Sequence, residues 1–174
     1  MGCDKAQLVV GEWTLARRSA HLLRLVTDAA VEVGPGYSGL HATREDPAGE
    51  GPLAAIAAGR HLLRESGHEG AALVLACDLP LVSLALLKFL AEYDAPGTVL
   101  PVVDGRAQPL CAKWGAVDLD QAGALVASGV HSLRHLVDQP DVTLLDESAW
   151  GHVATATTFA DVDRPEDLAR YGIS

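Results

Sequence analysis

The feature that most constrains this chain is a continuous apolar run at residues 71–77, Ala-Ala-Leu-Val-Leu-Ala-Cys, that stops abruptly at Asp78-Leu79-Pro80. A strand with no polar alternation is buried on both faces, so it belongs in a sheet covered by helices on each side. The surrounding sequence supplies such helices. Residues 13–28 carry Leu15, Leu22, Leu23 and Val26 at helical spacing behind Thr14 as a cap, and residues 29–33 form a short apolar run closed by Gly34-Pro35-Gly36. Residues 40–44 read as a further strand, and Gly51-Pro52 opens an alanine-rich helix to about residue 65, with proline where a missing amide costs little. Beyond the apolar run, Ser83 caps a helix to about residue 93, residues 98–103 form a strand closed by Asp104-Gly105, and residues 110–114 pair after that turn as an antiparallel excursion. Residues 117–128 and 132–138 read as helices, and residues 142–145 and 158–162 as strands. Asp163 to Glu166 has the D-x-x-E form of a capping box for a terminal helix to Tyr171. This alternation predicts an α/β fold with a parallel sheet covered by helices.

The chain's 174 residues suffice for one domain spanning 1–174, burying roughly 70% of the unfolded surface without disulfides. With 49% hydrophobic and 21% charged residues the composition is globular. A formal net charge of -10, from 13 basic and 23 acidic residues, repels a phosphate backbone and argues against nucleic acid as a partner. It does not exclude a small phosphorylated ligand, because helix N-termini and bound cations make local anion sites. Cys3, Cys77 and Cys111 are few, far apart and without a C-x-x-C pair, which suits reduced residues in the cytoplasm. The apolar runs fall short of a membrane span and the amino end has no signal-peptide pattern, so no membrane association is expected.

In an open parallel sheet, ligands bind beyond the carboxyl ends of the strands, and Asp46, Asp78, Asp161 and Asp163 all follow predicted strands. Asp78 terminates the apolar run, where it can serve a hard divalent cation such as magnesium. It serves equally well to start the turn before Pro80. Asp161 and Asp163 flank Val162 and share one face of an extended segment, but Asp163 is also a ready cap for the terminal helix. Lys5 beside Asp4 reads on position alone as a solvated ion pair. His131 and His135 have the spacing of ligands on one helix face, with no third ligand nearby. Cys77, flanked by apolar residues, reads as a core residue and not a nucleophile. No G-x-S-x-G, H-E-x-x-H or Walker motif is present.

Six stretches in order resemble the MobA-like nucleotidyltransferases: M-G-C-D-K at residues 1–5, E-D at Glu45-Asp46, G-P-L-A at 51–54, C-D-L-P at 77–80, Q-P-L-C-A at 108–112 and D-V-D-R-P-E-D-L at 161–168. The resemblance implies a Rossmann-like three-layer sandwich, mostly parallel with a small antiparallel excursion and nucleotide-diphospho-sugar-transferase-like, and magnesium-dependent transfer of GMP from GTP to a molybdopterin-type molybdenum cofactor, releasing pyrophosphate. It also implies transient contact with other cofactor-assembly proteins. By position, Lys5 matches the lysine on the triphosphate and Asp78 the magnesium ligand, the two forming the catalytic pair. Gly2, Asp46, Gly51 and Pro52 match nucleotide-binding positions. Gln108, Asp161 and Asp163 fall where the pterin substrate is expected, with aspartates where the family frequently has asparagines. The family motif L-A-G-G-x-S-x-R-M-G-x-D-K is met only from its methionine onward, so the resemblance implies that the first strand, the phosphate loop and the motif arginine are lacking from 1–174. Alternatives within this frame are a CTP-dependent or small-phosphoacid transferase, or a catalytically silent scaffold in cofactor assembly.

Overall fold

The computed structural model describes residues 4–162 and 165–170. A 3-10 turn at Lys5–Gln7 leads into a small antiparallel hairpin of β1 (Val9–Val10) and β2 (Trp13–Thr14), and then α1 (Leu15–Arg24). Thr14 caps α1 as its sequence position predicts, its hydroxyl accepting from the Arg17 amide at 3.3 Å. The next strands, β3 (Val31–Val33) and β4 (His41–Thr43), pair in parallel as a separate two-stranded sheet. α2 (Pro52–Glu65) begins behind Gly51, whose φ of +95° is a conformation glycine adopts without strain. The apolar run becomes β5 (Ala72–Leu75), followed by α3 (Leu84–Glu92), where Ser83 Oγ accepts from the Leu86 amide at 3.2 Å.

The remaining elements are β6 (Val99–Val103), β7 (Arg106–Ala107), β8 (Cys111–Trp114), α4 (Ala116–Ala127), α5 (Arg134–Val137), β9 (Thr143–Leu145), α6 (Glu147–Trp150), a 3-10 turn at Ala156–Phe159 and α7 (Pro165–Arg170). β8 is no peripheral excursion. It lies between β5 and β6, antiparallel to both, while β9 pairs in parallel with β6 and β7 closes a hairpin on it. The expected α/β architecture is present, with parallel pairing at β3–β4 and β6–β9 and antiparallel pairing through β8. Burial explains why β8 is central: Cys111, Ala112 and Trp114 are all buried, which an edge excursion does not allow.

The strand expected at residues 158–162 is replaced by the 3-10 turn, because Thr155 and Thr158 exchange bonds. The Thr155 amide donates to Thr158 Oγ1 at 3.1 Å and the Thr158 amide to the Thr155 carbonyl at 2.9 Å, so local threonine chemistry outcompetes the ladder. His131 and His135 do not share a helix face, since only His135 falls within α5. The proposed Asp163 cap lies outside the described residues.

Alternate residues of the central strands feed different clusters, as a period of two requires. Val99 and Cys111 join Leu86, Leu87, Leu90 and Trp150 on the α3 side, whereas Leu100, Ala112 and Trp114 join Leu53, Leu119 and Leu136 on the α2 and α4 side. The two sheets are separated by a cavity of about 320 Å3 that touches Val31 where β3 starts and Ala72 where β5 starts, with Leu23 on one wall and Leu63 of α2 on another. Among the described residues β3 pairs with β4 alone and β5 with β8 alone.

Candidate active site

Asp4 fixes the conformation that presents Lys5. Its Oδ1 accepts from the Ala6 amide at 3.1 Å and its backbone carbonyl from the Gln7 amide at 2.9 Å, winding Lys5–Gln7 into the 3-10 turn. Lys5 Nζ then stands 3.9 Å from Asp78 Oδ2, both side chains being partly exposed. Asp78 follows β5, and its backbone carbonyl accepts the Val162 amide at 2.9 Å. The sequence placed lysine and aspartate at opposite ends of a long interval, and folding joins them at the carboxyl end of the apolar strand.

Two other expected residues approach the same rim through the backbone. Asp161, exposed, precedes the amide that bonds to Asp78. Gln108 sits in the turn leading into β8, where its amide donates to Pro101 O at 2.8 Å and its carbonyl accepts from the Cys111 amide at 3.1 Å; Leu110 O of the same turn receives the Ala76 amide at 2.7 Å. The turn therefore abuts the exit of β5. Asp46 is exposed on the segment between β4 and α2, and Gly51 and Pro52 form the start of α2. At the carboxyl end of β5 the fold brings together Lys5, Asp78, Asp161 and the Gln108 turn. Gly2 and Asp163 lie outside the described residues.

Cys77 adjoins this rim. Burial first, and then the charges of Asp78 and Asp4, push its thiol up to about 11, which removes it as a nucleophile near neutral pH. Cys111 is pushed up by burial to about 12.

Position alone did not single out Asp4 or Glu32. Asp4 orients Lys5, and Glu32 gathers backbone donors of the loop after β3 onto its carboxylate. A capping aspartate two residues before the bonded amide is a readable signal for Asp4; for Glu32 the only signal is an acidic residue inside an otherwise apolar strand. Among the described residues no group of three or more His, Cys, Asp or Glu side chains is placed to hold a metal ion by itself. A cation sharing phosphate oxygens needs fewer protein ligands, and one carboxylate open to solvent at a strand end has the right donor chemistry for magnesium.

A lysine and a carboxylate converging at the carboxyl end of a buried strand, on an α/β scaffold, fit the class of nucleotidyltransferase folds. Solved structures agree on that fold: a molybdopterin-guanine dinucleotide biosynthesis protein A of Archaeoglobus fulgidus matches 97% of this chain and 89% of its own with a TM-score of 0.75 at 19% identity. A nucleotidyl transferase from Methanothermobacter matches 96% of this chain and 82% of its own with a TM-score of 0.71 at 18% identity. The chain belongs to the MobA-like NTP transferase domain family, whose pattern matches residues 1–151. Among curated relatives, a protein of Mycobacterium avium named probable molybdenum cofactor guanylyltransferase is 36% identical over 124 residues, covering 68% of this chain and 61% of that protein. One of the same name from Bacillus cytotoxicus is 27% identical over 126 residues, covering 70% and 59%. The chain thus matches about three-fifths of the length of these relatives. Among the described residues, no helix is long and apolar enough to cross a membrane.

Proposed function

We propose that the protein transfers GMP from GTP to a molybdopterin-type molybdenum cofactor, releasing pyrophosphate, in the cytoplasm. The observation that carries this reading is the approach of Lys5 Nζ to Asp78 Oδ2 at 3.9 Å at the end of β5, in a chain of the MobA-like family. Relatives named for guanylyl transfer support GTP over CTP as the donor.

In this reading the Lys5 ammonium lies along the triphosphate and offsets charge that grows on it during transfer, while the turn capped by Asp4 keeps the ammonium in place. Asp78, with its backbone held by Val162, supplies the carboxylate for magnesium. Bound magnesium contributes charge neutralisation at the phosphoryl oxygens. Gly2, Asp46, Gly51 and Pro52 border the nucleotide, and Gln108, Asp161 and Asp163 border the pterin substrate. The attacking group is a phosphate oxygen of that substrate, so no protein nucleophile is needed, consistent with the unreactive Cys77. Catalysis is then positioning and electrostatic stabilisation.

The finer fold reading is a mostly parallel, Rossmann-like three-layer sandwich, with the parallel pairing at β3–β4 and β6–β9 in its favour. Transient contact with other cofactor-assembly proteins belongs to the same proposal.

The test is calorimetric titration of the full-length protein with GTP and with CTP, each with and without magnesium, followed by pyrophosphate release on adding the molybdopterin-type cofactor. Magnesium-dependent preference for GTP, with cofactor-dependent pyrophosphate release, is the expected result. Preference for CTP would move the protein to the cytidylyl branch. Absence of any nucleotide binding would favour a silent scaffold.

A further inference from the structure

Glu32 lies in β3, yet its carboxylate turns back onto the loop that follows. Oε1 accepts from the amides of Gly36 at 2.7 Å and Tyr37 at 3.1 Å, and Oε2 accepts from the Ser38 amide at 2.8 Å and from the Ser38 hydroxyl. Three successive backbone donors converging on one anion form a concave array of the kind that binds phosphates and carboxylates. Here the chain supplies the anion itself. Burial disfavours the charge on Glu32, but the bonds from Ser38, Gly36 and Tyr37 outweigh it and hold the carboxyl below its ordinary range.

Three other bonds anchor the ends of this loop. The Gly34 amide donates to Thr43 O at 2.8 Å, Arg24 Nη2 to Gly39 O at 3.4 Å and the Leu40 amide to Ser38 Oγ at 3.2 Å. Between Gly34 and Gly39, then, the backbone conformation rests on Glu32. Gly36 has a φ of +88°, so the loop takes a path that a residue with a Cβ would resist.

β3 and β5 both start at the 320 Å3 cavity, β3 leading into this loop and β5 toward Asp78. The thiol of Cys77, raised chiefly by burial and by Asp78 and Asp4, feels Glu32 as a further negative neighbour. The charge of Glu32 thus reaches the residue next to Asp78.

We propose that Glu32 is a positioning residue for nucleotide binding: it holds the loop at residues 34–39 in the form that walls the site beside Asp78, and so sets the affinity for the nucleoside triphosphate without taking part in transfer. This rests on the guanylyl-transfer reading. Ordering the loop before the ligand arrives removes that entropic cost from binding. The carboxylate is suited to the task because its two oxygens can satisfy three amides and a hydroxyl together, whereas alanine leaves all four donors to water and the loop free to open.

The experiment compares the parent with Glu32→Ala and Glu32→Gln by calorimetry with GTP and magnesium, turnover at saturating GTP, and amide exchange at Gly36, Tyr37 and Ser38. Glu32→Ala should weaken GTP binding about tenfold or more while kcat stays within about threefold. Glu32→Gln, which keeps one acceptor oxygen, should lose less. The three amides should exchange faster in Glu32→Ala than in the parent, and should slow when the parent binds GTP. Equal GTP affinity in all three proteins would overturn the proposal. So would a fall in kcat that follows the loss of folded protein with affinity unchanged, because that marks a purely structural role. Should Glu32→Ala fail to fold, a several-fold loss of affinity in Glu32→Gln supports the proposal and unaltered affinity overturns it. A parent that binds no nucleotide overturns the guanylyl-transfer reading and this inference with it, whereas a parent that binds GTP no better than its variants overturns this inference alone.

Discussion

The amide of Val162 donates to the carbonyl of Asp78 at 2.9 Å, and the Val162 side chain is fully buried against Leu8 and Leu15. Leu8 directly follows the 3-10 turn that presents Lys5, its amide bonded to Lys5 O at 3.0 Å. A small apolar cluster thus backs the backbone around both residues of the pair, Lys5 through Leu8 and Asp78 through Val162.

Asp78→Asn should lower magnesium-dependent turnover of the full-length protein by about 100-fold or more, the scale of several kcal/mol of lost charge stabilisation. Its backbone carbonyl still accepts from Val162, so circular dichroism and melting temperature should match the parent. Unchanged turnover would remove Asp78 from the metal role.

Lys5→Ala should weaken GTP binding about tenfold or more while barely moving the melting temperature. The partly exposed pair at 3.9 Å contributes about 0–1 kcal/mol to folding, whereas a cation beside a triphosphate acts on several negative charges. Calorimetry and thermal unfolding on the same preparation separate the two effects. Equal GTP affinity in mutant and parent would take Lys5 out of the site.

Cys77 should resist alkylation. With its thiol raised to about 11, only about one molecule in a thousand carries the thiolate at pH 8. Its modification by iodoacetamide, followed site by site by mass spectrometry, should climb roughly tenfold per pH unit up to that value. Rapid labelling at pH 7 would contradict the buried, acid-flanked setting.

Arg60→Leu should destabilise the protein by about 2–4 kcal/mol, because several polar groups lose a donor. The guanidinium, 5% exposed, donates to Gly70 O at 2.9 Å and Glu69 O at 2.8 Å, and pairs with Asp120 Oδ1 at 2.7 Å. It thereby joins α2 to α4 and to the segment entering β5. Urea unfolding measures the loss, and a change under about 0.5 kcal/mol would show that water replaces the arginine without cost.

Elements with strong local signals were legible in the sequence. α2 starts behind Gly51 and ends at Glu65 as the proline and glycine rules require, and Thr14 and Ser83 cap the helices assigned to them. The apolar run gave β5 and its terminal aspartate because a doubly buried strand looks the same in any order of strands. The position of β8 was not legible, since a short strand after a hairpin turn carries no mark of which neighbours it will choose. The strand expected at 158–162 failed for a local reason, the mutual bonding of Thr155 and Thr158. For the site, motif resemblance drew attention to Lys5 and Asp78, but the distance between them and the roles of Asp4 and Glu32 depend on contacts that no spacing rule encodes.

β5 takes its partner from β8, and β6, which emerges from synthesis between them, lies on the far side of β8. A ribosome extruding this chain therefore releases the strand that leads to Asp78 well before β8, its partner among the described residues, has been made. The rim can assemble only once Trp114 is clear of the exit tunnel, and its closure from behind waits further for Val162. Pairing across such sequence distances is slow, so the β5–β8 ladder that leads to the Lys5–Asp78 rim is completed late.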